Sequence, residues 1–193
     1  MKTALIIIDM QQGSVSDTNR KHDSQGVIQR LNRLADAVRT AGGVVIFVQH
    51  DGPEGDDHYP GLPGWYLLPE LDTRASDPVV RKKSCDAFLG TALEELLQAN
   101  SIERLIITGC ATDYCVDTTI RSALGRGYPT VVPMDGHTTS NRPHLSAEKV
   151  IEHHNAIWAN FIAPNGPAMV CPCSEVPFSQ GWISKCSATG PRR

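Results

Sequence analysis

Cys115 is the residue whose type and position best suit covalent chemistry. It falls in the first turn of an expected helix, where free N–H groups and the helix dipole favour an anion. A nucleophilic thiol also needs a base or a cation beside it. Asp9 is a candidate polar group because it terminates an apolar run (Ala4–Ile8). The same aspartate can equally serve as a turn or helix cap. Lys82 and Lys83, in Val79-Val80-Arg81-Lys82-Lys83-Ser84, can supply the cation, although a lysine in a basic run is ordinarily solvated. A cysteine taken at random is more often a small buried hydrophobe than a nucleophile.

These residues are sited by a repeating pattern of apolar strand and amphipathic helix. Ala4–Ile8, Val44–Val48, Arg104–Thr108, Thr130–Val132 and Ala168–Val170 read as strands. Aliphatic runs without polar alternation are expected of strands buried on both faces. Val27, Leu31, Leu34, Ala35 and Val38 recur at helical spacing, and Gly42-Gly43 ends that helix. Further helices are expected over Thr91–Gln98 and Tyr114–Leu124. A last one, capped by Ser146, carries Val150, His154, Ile157, Trp158 and Phe161 on one face. The stretch from His50 to about Ser84 reads as one long loop, a length usually tied to function. Alternating strands and helices predict an α/β fold, a mostly parallel doubly wound sheet between helical layers. Ligands in such sheets bind beyond the carboxyl ends of the strands. Asp9, His50-Asp51, the segment Gly109–Cys115 and Asp135-Gly136-His137 all follow strands, so their polar groups converge on one rim.

At 193 residues the chain suits a single domain. With 40% hydrophobic and 20% charged residues it is no disordered chain. A net charge of −3, with no Lys/Arg-rich run before Arg192-Arg193, argues against a nucleic-acid partner. The longest N-terminal apolar run is too short for a membrane span or a signal peptide, which points to a cytoplasmic protein. The six cysteines form no C-x-x-C pair or zinc-finger spacing, and in a reducing compartment most read as free thiols.

Three segments together are similar to the isochorismatase-like cysteine hydrolases, a family that includes nicotinamidases and N-carbamoylsarcosine amidases. They are Ala4-Leu5-Ile6-Ile7-Ile8-Asp9-Met10-Gln11, Lys82-Lys83-Ser84-Cys85-Asp86-Ala87-Phe88, and Leu105–Val116 with its Gly109-Cys110-Ala111-Thr112-Asp113-Tyr114-Cys115. The resemblance implies a triad: Cys115 nucleophile, Asp9 general base and Lys82 cation, Lys82 being chosen over Lys83 by its spacing to Phe88. It also implies a thioester intermediate, an oxyanion hole from the backbone N–H groups of Ala111 and Cys115, and a cis peptide bond between Cys110 and Ala111. The expected reaction is hydrolysis of a small amide-like C–N bond. Vinyl-ether hydrolysis of the isochorismatase type, or a binding or assembly role on the same fold, are the competing expectations.

Gln12, His50, Trp65, Phe88 and Tyr114 are the expected substrate-binding residues. Asp51 is followed by Gly52-Pro53, which breaks the metal-binding Asp-x-His of nicotinamidases. His50, Asp51 and His58 are accordingly read as loop residues, and no metal or cofactor is expected. His137 and His144 are read as surface or loop residues, and His154 as a core or interface histidine. Residues 1–170 are expected to form the hydrolase domain. Residues 171–193 form an extension docked on the domain or on a neighbouring subunit through Val176, Pro177, Phe178, Trp182 and Ile183. The resemblance implies a homo-oligomer, a dimer or larger.

Overall fold

A computed structural model describes residues 1–16 and 20–178. Seven strands form one parallel sheet in the order β3-β2-β1-β4-β5-β7, with β6 beside β4. The strands are β1 (Thr3–Ile8), β2 (Val44–His50), β3 (Val79–Lys82), β4 (Arg104–Cys110), β5 (Thr130–Pro133), β6 (His137–Thr138) and β7 (Met169–Cys171). The helices are α1 (Ser24–Thr40), α2 (Leu93–Ala99), α3 (Asp117–Gly125) and α4 (Ala147–Trp158). This is the three-layer α/β architecture expected from the sequence.

Strand alternation divides the core into two layers. Leu5, Ile7, Val45, Phe47, Ile106 and Val131 face Val27, Leu31, Leu34 and Val38 of α1. Ala4, Ile6, Ile8, Ile46, Val48, Leu105 and Ile107 face α2, α3 and α4 through Leu93, Leu97, Ile120, Ala123 and Trp158. The middles of the central strands therefore carry aliphatic residues at successive positions. Ser146 caps α4, its side chain accepting the Lys149 N–H at 3.3 Å. Among the described residues no helix is long and apolar enough to cross a membrane.

Three placements depart from the sequence reading. The long loop contains β3, whose residues alternate exposed, buried, exposed, buried. It is an edge strand of four residues with a lysine on its inward face, so it lacks the aliphatic signature of its neighbours. The segment Thr112–Val116 is a wide π-type turn, and α3 starts only at Asp117. Cys115 therefore sits before the α-helix, where the Ala111 carbonyl takes the N–H groups of both Tyr114 and Val116, at 3.1 and 3.2 Å. His137, read as a surface residue, is 1% exposed in β6. Its ring accepts burial because both nitrogens are partnered, with Thr112 Oγ1 at 2.9 Å and Asn155 Oδ1 at 3.1 Å. His144 is exposed.

Beyond β7, Val176 is buried and Phe178 is 37% exposed. Trp182 and Ile183 lie outside the described residues.

Candidate active site

β1, β3 and the turn after β4 bring three side chains together. The backbone of β1 ends at Asp9, which adopts a left-handed conformation (φ 48°) while its N–H still bonds Val48 O at 2.9 Å. This turn lifts the carboxylate out of the strand direction, and aspartate tolerates it better than a β-branched residue does. β3 pairs with β2 so that Lys82 lies opposite His50. Alternation turns Lys82 inward on the same side as Val80, a member of the α2–α4 core layer. Cys115 packs against that layer from the turn.

β4 must come close to β1 for this to happen. Gly109 has φ +117°, and a Cβ there would collide with the Ile8 carbonyl and lie 2.6 Å from Ile8 N. Glycine is the only residue that fits this junction. The next peptide bond, Cys110–Ala111, is cis.

Lys82 Nζ contacts Asp9 Oδ2 at 2.7 Å, Ser84 O at 2.9 Å and Cys115 Sγ at 3.2 Å. All three ammonium hydrogens are thus used, and the side chain is fully buried. Burial alone would lower the Lys82 pKa. The Asp9 charge and the hydrogen bonds to Asp9 and Cys115 outweigh that, and the net shift is upward. Lys82 therefore stays charged. The Cys115 thiol is pushed up by burial first and by the Asp9 charge second, with Lys82 opposing. The resting thiol keeps its proton. Among the described residues the buried Asp9 Oδ1 has no hydrogen-bond partner.

A cavity of about 340 Å³ opens over this group. Of the five expected substrate-binding residues, His50 and Tyr114 line it and Gln12, Trp65 and Phe88 do not. Trp65 serves the loop instead. Its indole N–H bonds Asp51 Oδ1 at 2.8 Å, and its carbonyl accepts from Gln11 and Gln49 at 2.7 and 2.6 Å. Phe88 is 5% exposed and stacks on Tyr128 in the core layer. Gln12 reaches toward the Leu67 carbonyl. Asp51 is held by Arg81 at 2.8 Å as well as by Trp65, which removes it from the cavity. Among the described residues no group of three or more His, Cys, Asp and Glu side chains could hold a metal.

The cavity also draws on residues that sequence reasoning did not assign to it, including Ser14, Lys21, His58, Lys83 and Cys85. They lie on irregular segments where no periodicity signals a shared surface. His50 is positioned by the fully buried Gln11, which bonds its N–H at 2.8 Å and its carbonyl at 3.0 Å. Burial and the Lys82 charge lower the His50 pKa, leaving a neutral ring at the cavity wall. Cys110 also lines the cavity, but burial pushes its thiol up to about 12.

The family model of the Isochorismatase domain matches residues 3–161. A streptothricin hydrolase of Streptomyces noursei is 35% identical over 140 residues, which are 72% of this chain and 51% of that protein. The chain thus spans about half the length of that curated relative. The ureidoacrylate amidohydrolase RutB of Variovorax paradoxus is 28% identical, covering 69% of this chain and 67% of its own. A crystal structure described as an isochorismatase family protein superposes with a TM-score of 0.80 at 34% identity, covering 87% of this chain and 96% of that one. With a domain match across most of its length, a shared fold and a relative more than 30% identical, the chain belongs to the isochorismatase family.

Proposed function

We propose that the protein is a cysteine hydrolase that cleaves a small amide-like C–N bond through Cys115, Asp9 and Lys82. The observation that carries this reading is Lys82 Nζ bridging Asp9 Oδ2 and Cys115 Sγ at the wall of the cavity. The names of two relatives, a streptothricin hydrolase and a ureidoacrylate amidohydrolase, support hydrolytic chemistry of this kind.

Because the resting thiol is protonated, attack needs a base in the same step. Asp9 takes the thiol proton as Sγ attacks the carbonyl carbon, and Lys82 keeps its charge to balance the ion that forms. The backbone N–H groups of Ala111 and Cys115 hold the developing oxyanion; one such donor is worth ~10²–10³ in rate. Asp9 returns the proton to the leaving amine, giving a thioester. Asp9 then deprotonates the water that attacks the thioester carbonyl; the C–S bond breaks, the acid leaves, and Asp9 returns the proton to Cys115 Sγ. The proposal extends to a homo-oligomeric assembly, which light scattering measures directly.

The test is a screen of small amides, ureides and N-carbamoyl compounds read by ammonia release, repeated on Cys115→Ala. A substrate whose turnover disappears in the variant, with a thioester trapped on the parent by acid quench and mass spectrometry, supports the mechanism. Chorismate-type vinyl-ether cleavage retained by Cys115→Ala would instead establish the competing chemistry, which needs no thiol.

A further inference from the structure

The wall of the cavity carries a second constellation that the Cys115 mechanism does not use. Ser14 Oγ lies 2.9 Å from His58 Nε2. His58 Nδ1 lies 3.0 Å from Asp56 Oδ1, and the same oxygen accepts the His58 backbone N–H at 2.7 Å. Ser14 and His58 both line the cavity with Cys115.

These contacts fix the tautomer. The Asp56 carboxylate only accepts hydrogen bonds, and the contacts with His58 lower its pKa, so it is ionised. Nδ1 must therefore carry the hydrogen, which leaves the Nε2 lone pair to accept the Ser14 hydroxyl. The hydroxyl hydrogen is committed to the ring, and the oxygen lone pairs are left for another partner. Gly13 keeps the arrangement open, since a Cβ there would come within 3.1 Å of His58 Nε2 and Cε1. The His58 side chain is 18% exposed, enough shelter to hold the ring in one orientation. A hydroxyl bonded to an imidazole that is oriented by a carboxylate is the arrangement that activates a serine. Lys21 and Lys83 line the same cavity.

We infer that Ser14, with His58 as base and Asp56 as orienting group, is a second acylatable nucleophile in this cavity, reactive toward small esters with good leaving alcohols. In the acylation step Ser14 Oγ bonds the ester carbonyl carbon and its proton passes to His58 Nε2. The C–O bond to the alcohol then breaks, and His58 returns the proton to the departing oxygen. Water, deprotonated by the same ring, releases the acid and restores Ser14. This role is independent of Cys115.

The experiment uses Cys115→Ala, so that only the second group can react. The full-length variant is treated with diisopropyl fluorophosphate, where Ser14 Oγ bonds phosphorus, fluoride leaves and His58 takes the proton. Peptide mass spectrometry is expected to find the adduct on Ser14. Adding His58→Gln should slow labelling at least tenfold while the circular dichroism spectrum is unchanged. Hydrolysis of p-nitrophenyl acetate by Cys115→Ala should fall at least tenfold on adding Ser14→Ala. No adduct on Ser14, an adduct only elsewhere, labelling at an unchanged rate without His58, or ester hydrolysis indifferent to Ser14→Ala would each overturn the assignment. Any of these results would make the three residues a structural clasp between two loops.

Discussion

Replacing Lys82 with methionine tests the ion pair on which the site is built. The change keeps an unbranched chain of similar length and removes the charge. Its cost follows from what is left behind. Asp9, with only 7% of its side chain exposed, loses its 2.7 Å partner while Oδ1 already has none. The Ser84 carbonyl loses a donor at 2.9 Å. Removing one member of a buried pair typically costs about 3–5 kcal/mol, because the remaining charge is uncompensated. For a chain of this length 1 kcal/mol moves Tm by about 2–4 °C, so Lys82→Met should melt roughly 6–20 °C below the parent. Asp9→Asn combined with Lys82→Met removes both charges and should recover at least ~2 kcal/mol over Lys82→Met alone. Neither variant should turn over substrate. Urea unfolding followed by circular dichroism, with calorimetry as a check, gives both numbers. A single variant within about 1 kcal/mol of the parent, or a double variant no more stable than the single, would refute the view that Lys82 compensates a buried carboxylate.

Other perturbations read other parts of the structure. Cys115→Ser should fold normally and lose turnover by ~10⁴ or more, measured as ammonia release, since the replaced atom is the proposed nucleophile. Fully buried His137 has its pKa lowered to about 4 by burial, from an ordinary value of 6.5. The unfolded chain then binds a proton first, so stability present above pH 6.5 is lost as pH falls toward 4. The loss is about 3 kcal/mol, and His137→Asn should flatten the profile of urea midpoint against pH. At the alkaline end the pKa values of Lys82 and Cys115 are both raised. Stability should be complete below pH 9, the ordinary thiol value, and fall as pH rises beyond it; a midpoint constant from pH 8 to 11 would contradict this. Gly109→Ala should cost at least ~2 kcal/mol by calorimetry, because its Cβ meets the β1 backbone at positive φ.

The central strands were legible in the sequence because burial on both faces favours runs of aliphatic residues, as Ala4–Ile8 and Leu105–Ile107 illustrate. β3 was not, because an edge strand of four residues that turns a lysine inward presents no apolar run. The feature that hid the strand is the one that serves the site: Lys82 is buried by strand alternation and held there by the Asp9 charge after β1 and a hydrogen bond to Cys115 in the turn after β4. Asp9 and Cys115 stand 106 positions apart in the chain, so no local spacing could show that Lys82 bridges them. The resemblance of three separate motifs supplied that long-range pairing. His137 escaped for the converse reason. Its burial depends on Thr112 and on Asn155, which sits on the inward face of α4 among residues selected there by hydrophobicity alone. The cavity wall was the least legible part. Ser14 and His58 are 44 residues apart on irregular segments, and their meeting depends on Gly13 hydrogen bonding to Gly64, a contact between loop backbones that no side-chain pattern encodes. In this fold Asp9 and Cys115 follow central strands, whose aliphatic runs are a strong sequence signal. Most of the other residues that line the cavity sit on loops whose mutual placement is set by backbone pairing such as Gly13 N–H to Gly64 O. That division explains why the residues around Cys115 could be named from the sequence while most of the surfaces facing them could not.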